Sequence, residues 1–279
     1  MKKKMNKIID IVIVLVIVFC VFNIINSAIH IFEWKKDGDD INRQIENIIE
    51  IAKIKVVDET KTEVEVIKQE VEVPKANPYW DYMKMNMIEV DFVDLKDINK
   101  ETVGWIQVNG TNINYPFVQT KDNKYYLTHA YDRSYNSAGW VFLDYRNKND
   151  FTDKHNIIYA HGRYDKTMFG TLRNALTNGW LKNKNNFVFK ISTPYENSLW
   201  QVFSIYHIPT TSDYLQVDFK SDEQFLKFTK MLIDRSAHNF DTQIGANDKI
   251  ITLSTCYNET ERVVLHAKLI KKEVRNNNY

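Results

Sequence analysis

The chain has 279 residues, 44% of them hydrophobic and 13% aromatic, enough for one sizeable folded domain with appendages. A formal net charge of +1 lacks the basic excess of a nucleic-acid binder, so no nucleic-acid partner is expected, and sparse glycine and proline exclude a low-complexity chain. The two cysteines are Cys20 and Cys256, and since Cys20 falls in an apolar N-terminal run, the folded domain has no second thiol for an internal disulfide.

Lys2, Lys3, Lys4 and Lys7 precede an apolar stretch over 8–32 whose centre, 11–22, carries no charge and no strongly polar residue. In a helix rising about 1.5 Å per residue, that length crosses a hydrocarbon core of about 30 Å. Lysines before the stretch and mixed charge after it predict a single-pass protein of the cell membrane. Residues 1–7 form its cytoplasmic tail, residues 8–32 the transmembrane signal-anchor, and the folded domain is extracellular. The rival is a cleaved signal peptide, but the run is long for one and Asn26-Ser27-Ala28 is a poor cleavage site. Cys20 reads as a lipid-facing apolar filler.

Residues 33–78 are charged and β-branched and read as an extracellular stalk or helical spacer, with a partner-binding helix as the second reading. Asp39 or Asp40 can cap a helix carrying Ile41, Ile45, Ile48, Ile49 and Ala52 at helical spacing. Val64, Val66, Val71 and Val73 alternate with charge as an extended tether would, and Pro74 and Pro78 punctuate the chain. The folded domain is expected over 79–279, opening with a helix at 79–98 in which Asp91 and Asp94 form an imperfect capping pair.

After Glu101 the apolar period becomes strand-like, and a barrel is expected over 103–271. Residues 103–108, Asn109-Gly110 and 112–118 read as a hairpin, Asn-Gly being a strong turn signal. Further strands are expected at 140–144, 156–161, 187–192, 199–208, 249–255 and 262–270. Helical inserts run through 168–176 and from Ser221, where Ser-x-x-Gln makes a capping box before Phe225, Phe228 and Leu232. About eight short strands with few helices predict a mainly β domain, a closed and mainly antiparallel barrel.

Cys256 ends a strand candidate, so its sulfur stands at a sheet rim, and an exported single thiol is a candidate nucleophile. Seven histidines could serve it. His30 lies at the membrane boundary. His207 and His266 sit in apolar strands as core or barrel-wall residues, His238 follows the amphipathic helix, and His155 lies among polar residues as a solvated side chain. His129 and His161 are left. His161 ends a strand before Gly162, as Cys256 ends one, which favours it as the proton-transfer partner. Arg262 opens the next strand, either as an oxyanion donor or as a surface arginine. No metal-ligand spacing and no Gly-rich phosphate loop occurs.

Thr252-Leu-Ser-Thr-Cys256 resembles the TLxTC signature of sortases, with Ser in the variable position as in class B. The likeness extends over most of residues 92–271. In order and spacing it includes Val103-Gly-Trp-Ile106, Asn114-Tyr-Pro116, Asp122-Asn123, Tyr126-Leu127, Ala138-Gly139, Asp144-Tyr-Arg-Asn147, Ile157-Ile-Tyr-Ala-His161 and Met168-Phe-Gly170. Two departures stand out: Ala160 and Gly162 flank the histidine where the family has Gly and Asn, and the gap from Cys256 to Arg262 is short for the class. Arg163 is the second candidate for the arginine role.

The resemblance implies an eight-stranded sortase-type β-barrel with N-terminal helices and a helix in the loop between strands six and seven, preceded by one transmembrane helix. It implies a cysteine transpeptidase that cleaves the C-terminal sorting motif of secreted proteins after threonine, as a thiol endopeptidase forming a thioacyl-enzyme. The acyl group then passes to the amine of a lipid-linked peptidoglycan precursor. In that scheme Cys256 is the nucleophile, His161 the general acid and base, and Arg262 the oxyanion or substrate stabiliser. Asn123, Leu127 and Tyr159 match groove positions, Ser254 and Thr255 adjoin the nucleophile, and no cofactor or metal is needed. The alternatives are an anchored β-domain that binds envelope ligands without catalysis, or another cell-wall cysteine peptidase or transpeptidase.

Overall fold

A computed structural model of the chain describes residues 2–69, 72–256 and 260–275. Eight strands close a barrel: β1 (Thr102–Val108), β2 (Asn114–Val118), β3 (Phe142–Leu143), β4 (His155–Tyr159), β5 (Val188–Ser192), β6 (Glu196–Pro209), β7 (Ile250–Cys256) and β8 (Glu261–Val274). Around the barrel the order is β1-β2-β3-β4-β7-β8-β6-β5, closing back on β1. The β2–β3 and β4–β7 pairs are parallel and the others antiparallel. Gly110 turns the first hairpin at φ +70°, a left-handed conformation that glycine adopts without steric cost. Closure leaves these strands no free edge except where β8 outruns β7, and Val64–Val66 pairs there.

Strand alternation gives the barrel two cores. On β7, Ile251 and Leu253 face the main core together with Ile158, Leu265 and Trp105. Ile250 joins a second cluster on the outer face with Val264, Tyr206 and Tyr214. The period of two therefore sets Thr252, Ser254 and Cys256 on that outer face. Phe225, Phe228 and Leu232 of a helix between β6 and β7, Asp222–Asp234, cover it. Each such buried side chain contributes about 1.5–3 kcal/mol. Ser221 caps this helix through Gln224 N–H at 3.2 Å, as the capping box requires, while Gln224 reaches back to Lys220 N–H at 2.7 Å.

The N-terminal half departs from the sequence expectations in detail. A single helix, α1 (Lys2–Ile51), runs through Asp39 and Asp40 rather than starting there. Its apolar side chains near the N-terminus, among them Ile11, Leu15, Phe19 and Phe22, are exposed, whereas Ile41, Ile48 and Ala52 are buried in the main core. The segment expected as a spacer thus packs on the barrel. Asp37 accepts from Ser137 N–H at 3.0 Å, and Trp34 lies under the Arg163 guanidinium. The helix expected at 79–98 is two short ones, α2 (Tyr79–Tyr82) and α3 (Val93–Ile98). Between them Ile88–Glu89 pairs with Lys55–Val56. Met87, Ile88 and Val90 are all buried, a crowded apolar spacing that one helical face cannot satisfy.

Candidate active site

β7 ends on Cys256 and β8 carries Arg262 as its second residue, and the two are register partners. Directly opposed residues of antiparallel strands project to the same face with Cβ atoms about 4.5–5.5 Å apart. The nucleophile candidate and the cation therefore share the outer face of the sheet. Residues 257–259 of the connection lie outside the described residues. Arg262 Nη1 donates to the Glu261 carbonyl at 3.0 Å, and among the described residues no carboxylate pairs with it. Arg163 is placed differently. It is buried, donates twice to Asp165 at 2.9 and 2.6 Å, and stacks on Trp34.

His161 follows β4, the parallel neighbour of β7. Its Nε2 lies 2.8 Å from the Leu127 carbonyl. A carbonyl only accepts, so Nε2 carries a proton and Nδ1 is the nitrogen left for exchange. Glycine at 162 lets this loop pass over the nucleophile: a Cβ there would lie 2.0 Å from the Cys256 carbonyl oxygen and 2.9 Å from Thr255 Oγ1. At Gly139, with φ +61°, a Cβ would strike the Tyr126 carbonyl at 2.4 Å and crowd the His161 ring. Cys256, His161 and Arg262 line one cleft of about 670 Å³.

Comparison with known proteins gives this geometry its family. Residues 106–270 match the sortase domain. The chain belongs to the sortase family. Sortase B of Listeria monocytogenes is 36% identical over 184 residues, covering 64% of this chain and 74% of that protein. Sortase B of Staphylococcus aureus is 35% identical over 188 residues, covering 66% and 76%. A Bacillus anthracis crystal structure described as similar to sortase B superimposes with a TM-score of 0.63 at 34% identity, over 82% of this chain and 95% of that one. A Staphylococcus aureus sortase B–substrate complex gives 0.60 at 35% identity, over 64% and 84%. The sortase is thus a cysteine-type transpeptidase of the sortase B kind, on the eight-stranded barrel of the family.

All five further residues singled out in the sequence, Asn123, Leu127, Tyr159, Ser254 and Thr255, line the same cleft of this sortase. Asp144 organises one wall. Its buried carboxylate accepts from Asn123 Nδ2 at 3.0 Å, Tyr159 Oη at 2.9 Å, and Arg146 Nε and Nη2 at 2.8 and 2.7 Å. Burial pushes the Asp144 carboxyl up, but the Arg146 and Tyr159 hydrogen bonds outweigh it and hold the group below its ordinary range. Tyr159 is raised well above an ordinary phenol, first by burial and then by the Asp144 charge. Ser254 Oγ lies 3.0 Å from Tyr214 Oη, and Thr255 Oγ1 donates to the Ala160 carbonyl at 2.8 Å, tying β7 to the His161 loop.

The opposite wall was missed in the sequence: Thr210, Thr211, Ser212, Tyr214 and Leu215 come from the β6/β7 connection. A polar Thr-Thr-Ser run before Tyr-Leu, between a strand and a capped helix, was the available signal. The remaining histidines sort by contact. His129 donates from Nδ1 to the Tyr125 carbonyl at 2.8 Å and stacks on that ring. His266 is fully buried, and His207 is exposed on β6 rather than in the core. His155, expected as solvated, is fully buried against Phe228, because the β6/β7 connection folds over it. Among the described residues no His, Cys, Asp and Glu group could hold a metal ion.

Proposed function

We propose that this sortase cleaves C-terminal sorting motifs of secreted proteins after threonine and transfers the threonyl carbonyl to the amine of a lipid-linked peptidoglycan precursor. The carrying observation is the strand register that sets Arg262 beside Cys256 in the cleft that His161 also lines. Substrate binding by the Staphylococcus aureus relative, a sortase B solved as a substrate complex, supports peptide recognition here.

The Cys256 thiolate adds to the threonine carbonyl, and Arg262 donates to the oxygen as it becomes an oxyanion. The tetrahedral centre collapses with loss of the amine. His161, its Nε2–H kept on the Leu127 carbonyl, delivers a proton from Nδ1 to that nitrogen. The thioacyl-enzyme then meets the incoming amine, Nδ1 takes its proton back, and sulfur leaves. Asn123, Leu127, Tyr159, Ser254 and Thr255 hold the peptide along the cleft. Neither cofactor nor metal enters these steps.

Residues 8–32 form the signal-anchor in this proposal. Residues 1–7 are cytoplasmic, and residues 33–78 lead to an extracellular catalytic domain at 79–279. Exposure of the apolar side chains of α1 over 9–32 supports the anchor, since nothing in the described fold covers them.

The test is turnover of fluorogenic sorting peptides by the full chain in detergent micelles, with a triglycine amine as acceptor. Cleavage that accelerates with acceptor and vanishes in Cys256→Ala supports the assignment. Intact peptides in every case, with no adduct from an electrophilic peptide, would leave a ligand-binding domain instead.

A further inference from the structure

A row of polar side chains crosses the outer face of the sheet beneath the cleft. His155 on β4, Thr252 on β7, His266 on β8 and Tyr206 on β6 stand on successive strands of the barrel order. His155, Thr252 and His266 are fully buried and Tyr206 is 3% exposed. His155 Nε2 lies 2.6 Å from Thr252 Oγ1, Thr252 Oγ1 lies 2.7 Å from His266 Nδ1, and His266 Nε2 lies 2.9 Å from Tyr206 Oη.

The direction of every bond follows from one end. His155 Nδ1 lies 2.6 Å from the Gln216 carbonyl, which only accepts, so Nδ1 carries the proton. Full burial disfavours imidazolium at both histidines, and His155 is pushed down to about 4. A neutral His155 has a bare Nε2, which accepts from the Thr252 hydroxyl. That oxygen then accepts from His266 Nδ1–H, and the bare His266 Nε2 accepts from Tyr206 Oη–H. The Arg235 guanidinium sits beside the Tyr206 hydroxyl and is itself held by Asp213. One proton order satisfies the whole row.

One end of the row is bound to the β6/β7 connection at the Gln216 carbonyl, and the other lies beside Arg235, which Asp213 of the same connection holds; these two positions flank the Tyr214 and Leu215 that line the cleft. Position 252 lies between Ile251 and Leu253 in a β-branched strand, where valine would suit the sheet equally well. Only the hydroxyl distinguishes threonine there. We infer that Thr252, the first residue of the signature pentapeptide, is a positioning residue whose hydroxyl closes this row and thereby registers the Tyr214–Leu215 wall against the Cys256–Arg262 pair. The consequence for peptide binding rests on the proposed function; the row itself does not.

Charged and titratable groups face the row from each packed element: Tyr206 from β6, Asp213 and Tyr214 from the connection, Arg235 from the end of the Asp222–Asp234 helix. Asp144 and Arg146 act on His155 from the far side. Protonating His266 adds a buried cation beside Arg235, protonating His155 adds one facing Arg146, and either reverses one bond of the order.

The test compares Thr252→Val, which removes the hydroxyl, with Thr252→Ser, which keeps it, in the full chain in micelles. Valine is expected to speed amide hydrogen exchange over 213–218 about tenfold, the loss of one buried hydrogen bond. It is expected to raise KM for a sorting peptide by about the same factor. It leaves kcat and the rate of Cys256 alkylation by iodoacetamide nearly unchanged, and serine restores the parent values. Ring ¹⁵N shifts of the parent report neutral Nδ1–H tautomers for His155 and His266 throughout neutral pH. Unchanged exchange and KM in Thr252→Val, a serine variant as impaired as valine, or an Nε2–H tautomer at His155 overturns the inference. If the parent turns over no peptide, the proposed function fails while exchange and ¹⁵N shifts still decide the row. Should Thr252→Val not fold, Tyr206→Phe removes only the last donor, and unchanged exchange over 213–218 in that variant overturns the inference equally.

Discussion

Cys256 and Arg262 oppose each other across β7 and β8 as register partners, which sets thiol and guanidinium on one face of the sheet. Arg163, the other arginine near the site in sequence, is occupied by Asp165 and Trp34. Arg262→Ala is therefore expected to slow acylation by about 10²–10³, the usual cost of losing one oxyanion donor. Arg163→Ala should lower Tm but leave the rate per folded molecule within a few fold. Single-turnover acylation by a fluorogenic peptide separates the two, and the reverse pattern would transfer the role to Arg163.

Gly162 lies under the Cys256 carbonyl at a distance that no Cβ tolerates. Gly162→Ala should push the end of β7 away from the His161 loop and cost about 1–3 kcal/mol of stability through overpacking. Peptide cleavage should fall more than thermal stability alone explains. The measurement is kcat/KM well below Tm, beside the urea midpoint; parent-like cleavage would show that the loop relaxes freely.

The buried imidazoles give the fold a pH dependence with a defined sign. Burial holds His155 at about 4, whereas an unfolded histidine titrates near 6.5. The folded value is the lower one, so the unfolded chain binds more protons between the two. The contribution is fully present above about pH 6.5 and is lost as pH falls toward 4. Between pH 7 and pH 5 the loss is about 2 kcal/mol for His155, with His266 shifted in the same direction. Urea unfolding at both pH values tests this: a flat profile would mean that the imidazoles are not desolvated.

Truncation should locate the boundary between anchor and domain. Removing residues 1–32 deletes no side chain that is buried among the described ones and is expected to leave Tm unchanged in detergent-free buffer. Removing residues 1–57 also strips Ile41, Ile48, Ala52 and Val57 from the core and should destabilise by about 4 kcal/mol or more. Equal Tm values for the two truncations would show that residues 33–57, part of the expected 33–78 spacer, add no stability to the barrel.

What could be read in the sequence was local chemistry with a strong geometric signature. Asn109-Gly110 dictates a left-handed turn, Ser221 with Gln224 dictates a helix start, and a strand ending on a lone thiol dictates a rim position. Every residue assigned to the site by motif lines the one cleft, because strand ends converge there. Partnerships set by distant segments were hidden. Ile88–Glu89 leaves helical form because Lys55–Val56 offers it a ladder, and Val64–Val66 finds the overhang of β8. His155 looked solvated beside Asp153 and Lys154, yet a connection some sixty positions away buries it. The Thr210–Leu215 wall has no periodicity at all, since distant tethers place it: Tyr214 is tied to Ser254 on β7 and Thr210 to the Thr260 carbonyl just before β8.

α1 passes without a break from its uncovered apolar length into the segment bound to the barrel, whose first contacts are at Trp34 and Asp37. With residues 8–32 in the bilayer, as proposed, the helix between lipid and barrel is only about 8 Å long. The cleft then rides at a nearly constant altitude above the lipid instead of swinging on a leash. In the proposed reaction a client must bring its cleavage site to that altitude, so the reach from the lipid to its motif becomes a selection rule, read by a strut rather than by any pocket.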